Sequence, residues 1–340
     1  MQTFLQFVTE EQLQEKLIVV GGGANYGQII FLAGGGGSGK GFAADNFLEA
    51  SKFKIRDVDA MKLAFLELNR IYGEVKKLPD CDLGQHDSQH ASGISAPNFK
   101  TIPNLKDAHG KLACNPFFGL KGMNLRTPGD VFKLHDYVDQ LDVKDKTLLN
   151  MMTQAKQSKG HLPNILFDIT AKNVKSIEKV ISGDGKLPGL VDIGYEPKNI
   201  HLIWILADYS VAVERNAKRS RVVPDDILLQ THEGAANTMW EILNGKVPNK
   251  LDGGIYVVLN RDLTSDDYYK DTGNRAAASP VSKFKPSKTV KDFTYIRYKD
   301  AGKPMNAHAD VQQQIYNWIT ANIPKSAATA HIFDAGKPNS

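Results

Sequence analysis

A short apolar run that passes directly into a glycine-rich turn constrains the fold of this chain more than any other feature. Residues 28–42 read QIIFLAGGGGSGKGF, so Gly34, Gly39 and Lys40 have the spacing G-x-x-x-x-G-K. In a turn of this kind, successive backbone N–H groups surround a phosphate and the lysine ammonium reaches its outer oxygens. The residues predicted to contact phosphate are Gly34, Gly35, Gly36, Gly37, Ser38, Gly39, Lys40 and Gly41.

The order of the local elements distinguishes this segment from an ordinary flexible glycine turn. A helix is predicted from Phe42 to Ala50, and the positive end of its dipole would face the same anion. The segment 21–23 is also a run of glycines after apolar residues, but no lysine or helical pattern follows it, so it is interpreted as a connecting turn. Strand, loop, lysine and helix together predict a phosphate-binding loop.

Position 41 departs from the usual pattern of such loops. Gly41 stands where a Ser or Thr hydroxyl commonly binds Mg²⁺, and Phe42 follows it. Any Mg²⁺ that accompanies a nucleotide is therefore expected to be held mainly by water and carboxylates.

Length and composition are those of an ordinary globular protein. The 340 residues are enough for a substantial core, and 41% of them are hydrophobic and 24% charged. The net charge of +4 is too small to predict a nucleic-acid partner, although a local basic patch stays open. The N-terminus lacks the basic start and apolar stretch of a signal peptide, and no apolar run is long enough for a membrane span. A soluble, cytoplasmic protein without a membrane partner is expected.

Apolar runs alternate with segments of helical periodicity along the chain. Four runs after the loop are predicted to be buried strands: Phe53–Val58, Ile165–Asp168, His201–Ala207 and Ile255–Leu259. The helical segments include Ala60–Tyr72, Val131–Lys156 and Ser210–Arg219. This alternation predicts a three-layer α/β fold with a doubly wound parallel sheet. Ligands of such sheets bind at the carboxyl ends of the strands.

The other segments divide the chain into a main domain, an insertion and an extension. The main domain is predicted to span residues 1–260, with an insertion at 76–130 that has little periodicity and is too long for a plain connection. The insertion is interpreted as a candidate lid or substrate-binding region. Residues 261–340 form the predicted C-terminal extension, which contains a lysine-rich hairpin (281–299) and an amphipathic helix (309–323).

Aspartates follow two of the predicted strands, where ligands bind. Asp59 or its neighbour Asp57 follows the second strand and could accept the proton of a hydroxyl that attacks a γ-phosphate. Asp168 ends the third strand, and its carboxylate is of the type that binds Mg²⁺ directly or through water. Aspartate also favours helix N-caps, so each residue could instead cap the helix that follows, which for Asp168 begins near Asn173.

Three arginines follow the fourth strand. Arg215 and Arg219 are four residues apart and are predicted to share one helix face, while Arg221 lies at the helix exit. Guanidinium groups in this position could neutralise the charge that develops on a transferring phosphoryl group. Stabilisation of a helix C-terminus is the structural alternative. Combined with the phosphate-binding loop, the cluster is interpreted as an arginine lid.

Together these segments resemble zeta-toxin-type P-loop kinases over about residues 28–260, and more distantly adenylate and small-metabolite kinases. Besides the loop, the matching segments are Arg-Asp-Val-Asp at 56–59, Leu-Phe-Asp-Ile-Thr at 166–170 and Glu-Arg-x3-Arg-x-Arg-x2-Pro-Asp-Asp at 214–226. The resemblance implies a P-loop NTPase fold and a kinase activity. Zeta toxins phosphorylate a sugar hydroxyl of UDP-N-acetylglucosamine, so a nucleotide-sugar is one implied acceptor.

The resemblance also implies roles for individual residues. Lys40 corresponds to the loop lysine, Asp59 to the aspartate that activates the acceptor, and Asp168 to the acidic residue of strand three. The lid arginines correspond to Arg215 with either Arg219 or Arg221.

The resulting hypothesis is an ATP- and Mg²⁺-dependent phosphotransferase that acts on a hydroxyl of a small metabolite or nucleotide-sugar. A second hypothesis is a kinase for a nucleic-acid end or modified base, which would dock through the basic and aromatic residues of 283–299. Protection of a sheet edge by lysines is the structural alternative for that segment. A third hypothesis is a nucleotide-binding structural or regulatory protein that has lost catalysis, which the missing hydroxyl at Gly41 would explain.

The two cysteines lie in the irregular insertion. Cys81 and Cys114 predict no disulfide framework, and a reducing compartment is the default expectation. His86 and His90 have metal-ligand spacing, and Cys81, Asp82 and Asp87 are also of zinc-binding types. Since no second cysteine is near, this segment is interpreted as a solvated loop rather than a zinc site.

Overall fold

The computed structural model describes residues 18, 20, 26–48, 50–82, 102–158, 161–260, 293–305 and 309–335. Contacts divide the chain into two compact units. The first unit comprises the described parts of Met1–Arg56, Ala155–Arg215 and Asp225–Ser340, and the second comprises those of Asp57–Gln154 and Asn216–Pro224. This division differs from the predicted domains, because most of the predicted main domain and the described part of the predicted extension belong to the same unit.

The described residues form a six-stranded sheet in the first unit. The strands are β1 (Ile29–Ala33), β2 (Phe53–Asp57), β3 (Asn164–Ile169), β4 (Ile200–Ala207), β5 (Ile255–Asn260) and β6 (Phe293–Lys299). Their order is β2-β3-β1-β4-β5-β6. The pairs β1–β3, β1–β4 and β4–β5 are parallel, and β6 joins β5 antiparallel. The predicted α/β class with a mostly parallel sheet is thus confirmed, and it is compatible with a three-layer arrangement.

The central strands form because their apolar side chains are covered on both faces. Every residue of β1, β4 and β5 is buried, which is the continuous apolar pattern of strands inside a parallel sheet. One core cluster combines Ile30 and Leu32 of β1 with Ile203 of β4 and with Ala43 and Phe47, which follow the glycine-rich turn. The carboxyl end of β1 is therefore held by the core from which the glycine-rich turn emerges.

The described α-helices agree closely with the predicted helical segments. They are α1 (Lys40–Phe47), α2 (Val58–Asn69), α3 (Pro128–Gln140), α4 (Val143–Lys156), α5 (Val174–Ser182), α6 (Tyr209–Ala217), α7 (Asp225–Leu243), α8 (Ala309–Asn322) and α9 (Ala330–Asp334). The single helix predicted over 131–156 is instead two, because the backbone at Asp142 is left-handed, with φ of 51°. Within the described part of the chain, none of the helices combines the length and the apolar character needed to cross a membrane.

The second unit has a hydrophobic core of its own. Phe65 of α2, Leu134 and Tyr137 of α3, and Phe117 and Leu120 from the connecting segment pack together. The described part of the segment 76–130, interpreted from the sequence as a candidate lid or substrate-binding region, thus contributes apolar residues to this core, and its role stays a prediction. A π-helix (Arg70–Val75) extends α2 toward it.

A disulfide bond joins Cys81 and Cys114, contrary to the expectation of two free thiols. The two cysteines are 33 residues apart in the sequence, but the backbone brings them together. The N–H of Cys81 donates to the carbonyl of Asn115, and the N–H of Asn115 donates to the carbonyl of Pro79. These long-range backbone bonds left no local signal in the sequence. The compartment of the protein stays a prediction.

Candidate functional site

The glycine loop, defined as Gly34–Gly39, connects β1 to α1 in the first unit. The loop begins directly after the buried end of β1, and α1 starts at Lys40 rather than at Phe42 as predicted. A Cβ atom at Gly34 would lie 2.6 Å from the carbonyl oxygen of Ile205 on β4, so only glycine fits this close approach. Gly39 has φ of 93°, a left-handed conformation that other residues rarely adopt. The tight turn predicted from the glycines is thus built as their spacing requires.

Lys40 folds back over the start of the glycine loop. Its Nζ donates to the carbonyl of Gly34 at 2.9 Å and to that of Gly35 at 3.1 Å. The same Nζ lies 3.6 Å from Oδ1 of Asp168. The structure therefore brings three predicted site elements together, namely the loop, its lysine and the acidic residue at the end of β3.

Side chains hold the carbonyl oxygens of the loop from outside. All five consecutive carbonyls from Gly34 to Ser38 accept a hydrogen bond from a side chain, and Lys40 provides the first two. The other three bonds come from His232 Nε2 to Gly36 at 2.7 Å, Arg215 Nη1 to Gly37 at 3.3 Å and Asn260 Nδ2 to Ser38 at 2.8 Å.

The backbone N–H groups of the loop are largely left open. Gly36 donates to Thr231 Oγ1 at 3.0 Å, and Ser38 donates to the carbonyl of Gly35 at 3.3 Å. Successive N–H groups in a turn with left-handed residues form a concave anion-binding site, and a helix N-terminus adds its positive dipole end. Within the described ranges, the N–H groups of Gly35, Gly37, Gly39, Lys40 and Gly41 are among those without an acceptor. This arrangement can bind an anion with backbone dipoles alone.

Asp168 is not the helix cap that was its structural alternative. Asn173 caps α5, since its side chain accepts from the N–H of Ser176. Strand pairing sets Asp168 beside Leu32 on β1, one residue before the strand ends at Ala33. A carboxylate at the edge of the loop suits Mg²⁺ held with a nucleotide. Among the described residues, no group of three or more His, Cys, Asp or Glu side chains could hold a metal ion by itself.

The position of the missing hydroxyl is open. A Cβ at Gly41 would meet no atom within 4 Å. The loop therefore offers Mg²⁺ no hydroxyl at this position, although the space for one exists. Asp168 and water are the donors that fit a metal ion here.

A separate charged cluster lies in the second unit, around Asp59. Asp57 caps α2 by accepting from the N–H of Asp59 at 2.7 Å, which is the structural alternative expected for one of these aspartates. The carboxylate of Asp59 is free from capping and binds Arg221 Nη2 at 2.6 Å through Oδ2. Its Oδ1 lies 3.4 Å from Nζ of Lys62. The side chain of Asp59 is 44% exposed, whereas that of Arg221 is only 10% exposed.

Neighbouring cations keep the carboxylate of Asp59 ionised. Burial raises the pKa of Asp59, but the hydrogen bond and positive charge of Arg221, together with Lys62, outweigh it and hold the pKa below its ordinary value of 3.8. Burial lowers the pKa of Lys62, and the positive charges of Arg221 and Lys144 lower it further. The negative charge of Asp59 raises this pKa but does not outweigh the other effects. Asp59 is therefore a carboxylate at neutral pH, able to accept a hydrogen bond from a hydroxyl.

Arg215 and Arg219 do not share one helix face, contrary to the prediction. Because α6 ends at Ala217, Arg219 lies beyond it in an exposed turn. Arg215 belongs to the first unit and contacts the glycine loop, whereas Arg221 belongs to the second unit and binds Asp59. A fourth arginine, Arg126, fastens the turn by donating to the carbonyls of Arg219 and Ala217, both at 3.0 Å.

Sequence reasoning missed several of the polar residues around the glycine loop. Asn260 is the last residue of β5, so the rule that ligands lie at strand ends could have found it. Thr231 and His232 lie inside α7 and had no sequence signal, because polar residues occur on most helix surfaces. Arg126 likewise gave no signal, since it lies in the segment 76–130, which has little periodicity.

The weaker candidate sites have different outcomes. Cys81 is part of the disulfide and so is not available as a zinc thiolate, while His86, Asp87 and His90 lie outside the described residues. Of the basic segment 283–299, the described part is β6. Arg297 lies over the ring of Tyr256 at 5.4 Å, and Lys299 pairs with Asp252 at 2.7 Å. These two cations have structural partners, and lysines 283, 285, 288 and 291 lie outside the described residues.

The chain was compared with known proteins for similarity. No protein-family model matches the chain, and no curated protein sequence matches it significantly. The function is therefore inferred from the residues and geometry of the site alone.

Proposed function

We propose that this protein is an ATP-dependent phosphotransferase of the P-loop kinase class, acting on a hydroxyl of a small metabolite or nucleotide-sugar. The observation that carries the proposal is the glycine loop, whose carbonyls accept hydrogen bonds from side chains, Lys40 among them, while the N–H groups of Gly37, Gly39, Lys40 and Gly41 have no acceptor among the described residues. A polyphosphate chain satisfies these donors better than a single carboxylate, because it offers several adjacent oxyanions.

Each candidate residue has a role in the proposed reaction. The acceptor hydroxyl oxygen forms a bond to the γ-phosphorus of ATP, the bond from that phosphorus to the β–γ bridging oxygen breaks, and ADP leaves. Asp59 accepts the hydroxyl proton. Lys40 and Arg215, with Arg219 and Arg221 as further candidates, neutralise charge on the phosphates. Mg²⁺ bound with ATP would shield the phosphates, and Asp168 with water would hold it.

A labelling experiment tests this proposal. The full-length protein is incubated with Mg²⁺, γ-labelled ATP and separate pools of cell metabolites, DNA and RNA. Label in the metabolite pool is expected, and Lys40→Ala should reduce it by about 10²–10³-fold or more, since it removes a cation from the transferring group. Lys246→Ala is the matched control, because Lys246 is 70% exposed and pairs only at the surface with Glu241.

The other outcomes decide between the competing hypotheses. Label in DNA or RNA would replace the proposed acceptor with a nucleic acid. Calorimetric binding of ATP that needs no Mg²⁺, without label in any pool, would indicate a catalytically inactive nucleotide-binding protein. If no nucleoside triphosphate produces heat on titration, the proposal is overturned.

A further inference from the structure

We infer that Thr231 and His232 of α7 are positioning residues for the glycine loop. Both bind the backbone of the single residue Gly36, and the pair is called the clasp. The effect of the clasp on nucleotide binding rests on the proposed function, whereas the clasp itself does not. Thr231 Oγ1 accepts from the N–H of Gly36 at 3.0 Å. His232 Nε2 donates to the carbonyl of the same residue at 2.7 Å. Both backbone groups of Gly36 are thus bound by neighbouring residues of one helix.

The direction of each clasp bond is fixed by its surroundings. The Thr231 hydroxyl donates its own proton to the carbonyl of Leu228 at 2.7 Å, so its lone pairs are left for the N–H of Gly36. A carbonyl can only accept, so Nε2 of His232 carries a proton. Burial lowers the pKa of His232 below 6.5, and the positive charge of Lys40 also lowers it. The hydrogen bond to Gly36 raises this pKa but does not outweigh burial, so the ring is neutral at physiological pH.

The loop and α7 also approach so closely that a Cβ atom would clash at two positions of the loop. A Cβ at Gly35 would lie 2.3 Å from Cδ2 of His232, and one at Gly36 would lie 2.7 Å from Cδ1 of Leu228. The ring of Tyr209 contacts His232 edge-on, with centroids 5.4 Å apart. The imidazole is therefore held between an aromatic ring and the loop backbone, which fixes its rotamer.

The clasp determines which N–H groups of the glycine loop can face an anion in the proposed site. The clasp removes the N–H of Gly36 from the set that can meet a phosphate and fixes the peptide from which the turn starts. Beyond Gly36, the N–H groups of Gly37, Gly39, Lys40 and Gly41 stay open. N–H groups that are already oriented bind an anion without the loss of conformational entropy that ordering the loop during binding would cause. Loss of the clasp should therefore weaken nucleotide binding without unfolding the protein.

Substitutions on one helix isolate this role. Thr231→Val keeps the shape of the side chain but removes the hydroxyl, and Thr231→Ser restores it. Thr238→Val is the matched control, because Thr238 is buried in α7 and its Oγ1 has no hydrogen-bond partner in the described part of the chain. His232→Phe keeps a ring and removes the donor. The measurements are the dissociation constant of ADP, amide hydrogen exchange at Gly36, and thermal unfolding.

Two results are expected together. Thr231→Val and His232→Phe should raise the dissociation constant of ADP about five- to tenfold, the loss of one hydrogen bond, while Thr231→Ser and Thr238→Val stay near the parent. Exchange of the Gly36 amide should rise at least about tenfold in Thr231→Val, because its acceptor is gone. Unchanged ADP binding and unchanged exchange in Thr231→Val would overturn the inference. If the parent protein binds no ADP, the proposed function fails, and the exchange result alone still decides whether the clasp exists.

Discussion

The candidate sites of the two compact units are built from different polar groups, backbone N–H groups in the first unit and charged side chains in the second. In the first unit, the candidate anion site is made mostly of backbone N–H groups, and side chains such as His232 and Asn260 serve to hold the loop carbonyls. In the second unit, the polar cluster is made of charged side chains, in which Asp59 is bound by Arg221 and Lys62. Backbone dipoles do not titrate, whereas a carboxylate and its cations respond to pH and to each other. The difference predicts that substitutions in the first unit change the affinity for nucleotide, whereas substitutions around Asp59 in the second unit change the rate of transfer and its pH dependence.

The largest expected effect separates transfer from nucleotide binding. Asp59→Asn removes the group proposed to accept the hydroxyl proton, so the rate of transfer should fall by about 10²–10⁴-fold. The dissociation constant of ADP, measured by calorimetry, should stay near that of the parent, because the anion site lies in the first unit. Asp57→Asn is the matched control, since asparagine also caps helices well. A parallel loss of ADP binding in Asp59→Asn would break the comparison.

Removal of the disulfide should destabilise one unit and leave the other intact. The double variant Cys81→Ser, Cys114→Ser should lower the free energy of unfolding of the second unit by about 2–4 kcal/mol. The three tryptophans, Trp204, Trp240 and Trp318, all belong to the first unit. Tryptophan fluorescence should therefore show an unchanged unfolding midpoint, while amide exchange over 102–154 becomes faster. A common shift of both measurements would show that the units unfold together.

A pH profile tests the charged character of the Asp59 cluster. Burial raises the pKa of the Asp59 carboxylate, but the hydrogen bond and charge of Arg221, together with Lys62, outweigh burial and hold the pKa below 3.8. Transfer should thus rise with pH through that low pKa and be flat above it. Arg221→Gln removes the main stabilising partner, so the pKa rises and the acidic limb moves to higher pH. Arg70→Gln, at an exposed ion pair with Glu67 in the same unit, should leave the limb in place. An unmoved limb in Arg221→Gln would mean that Asp59 is not the titrating group.

The sheet was predictable because strands that are buried on both faces appear in the sequence as continuous apolar runs. The runs at β1, β3, β4 and β5 are mostly apolar, and the helical periodicity between them predicts the α/β class without any long-range information. The break at Asp142 was not predictable, since it depends on one left-handed residue inside a continuous helical pattern. The disulfide was missed for a related reason, because its two ends meet only through backbone bonds made after folding.

The candidate site divides in the same manner. The glycine loop, Lys40 and Asp168 were predictable because they follow strands whose ends must lie at one edge of a parallel sheet. The resemblance already favours Asp59 over Asp57 as the acceptor-activating residue, and the structure adds that Asp57 caps α2. Thr231 and His232 act on Gly36 from 195 and 196 residues away. A single sequence contains no record of such a contact.

The smallest expected effect concerns the open position in the glycine loop. Gly41→Ser places a hydroxyl where no atom lies within 4 Å, so the loop should tolerate it without rearrangement. Serine also favours a helix over glycine by about 0.5 kcal/mol. Gly41→Ala is therefore the matched control, because it gains helix propensity without a metal ligand. We expect the Mg²⁺ concentration needed for half-maximal transfer to fall a few-fold in Gly41→Ser but not in Gly41→Ala, since a hydroxyl oxygen adds one ligand to the metal shell. Equal values in the two variants would mean that the metal does not approach α1, and that the first unit binds its anion with backbone dipoles and Lys40 alone.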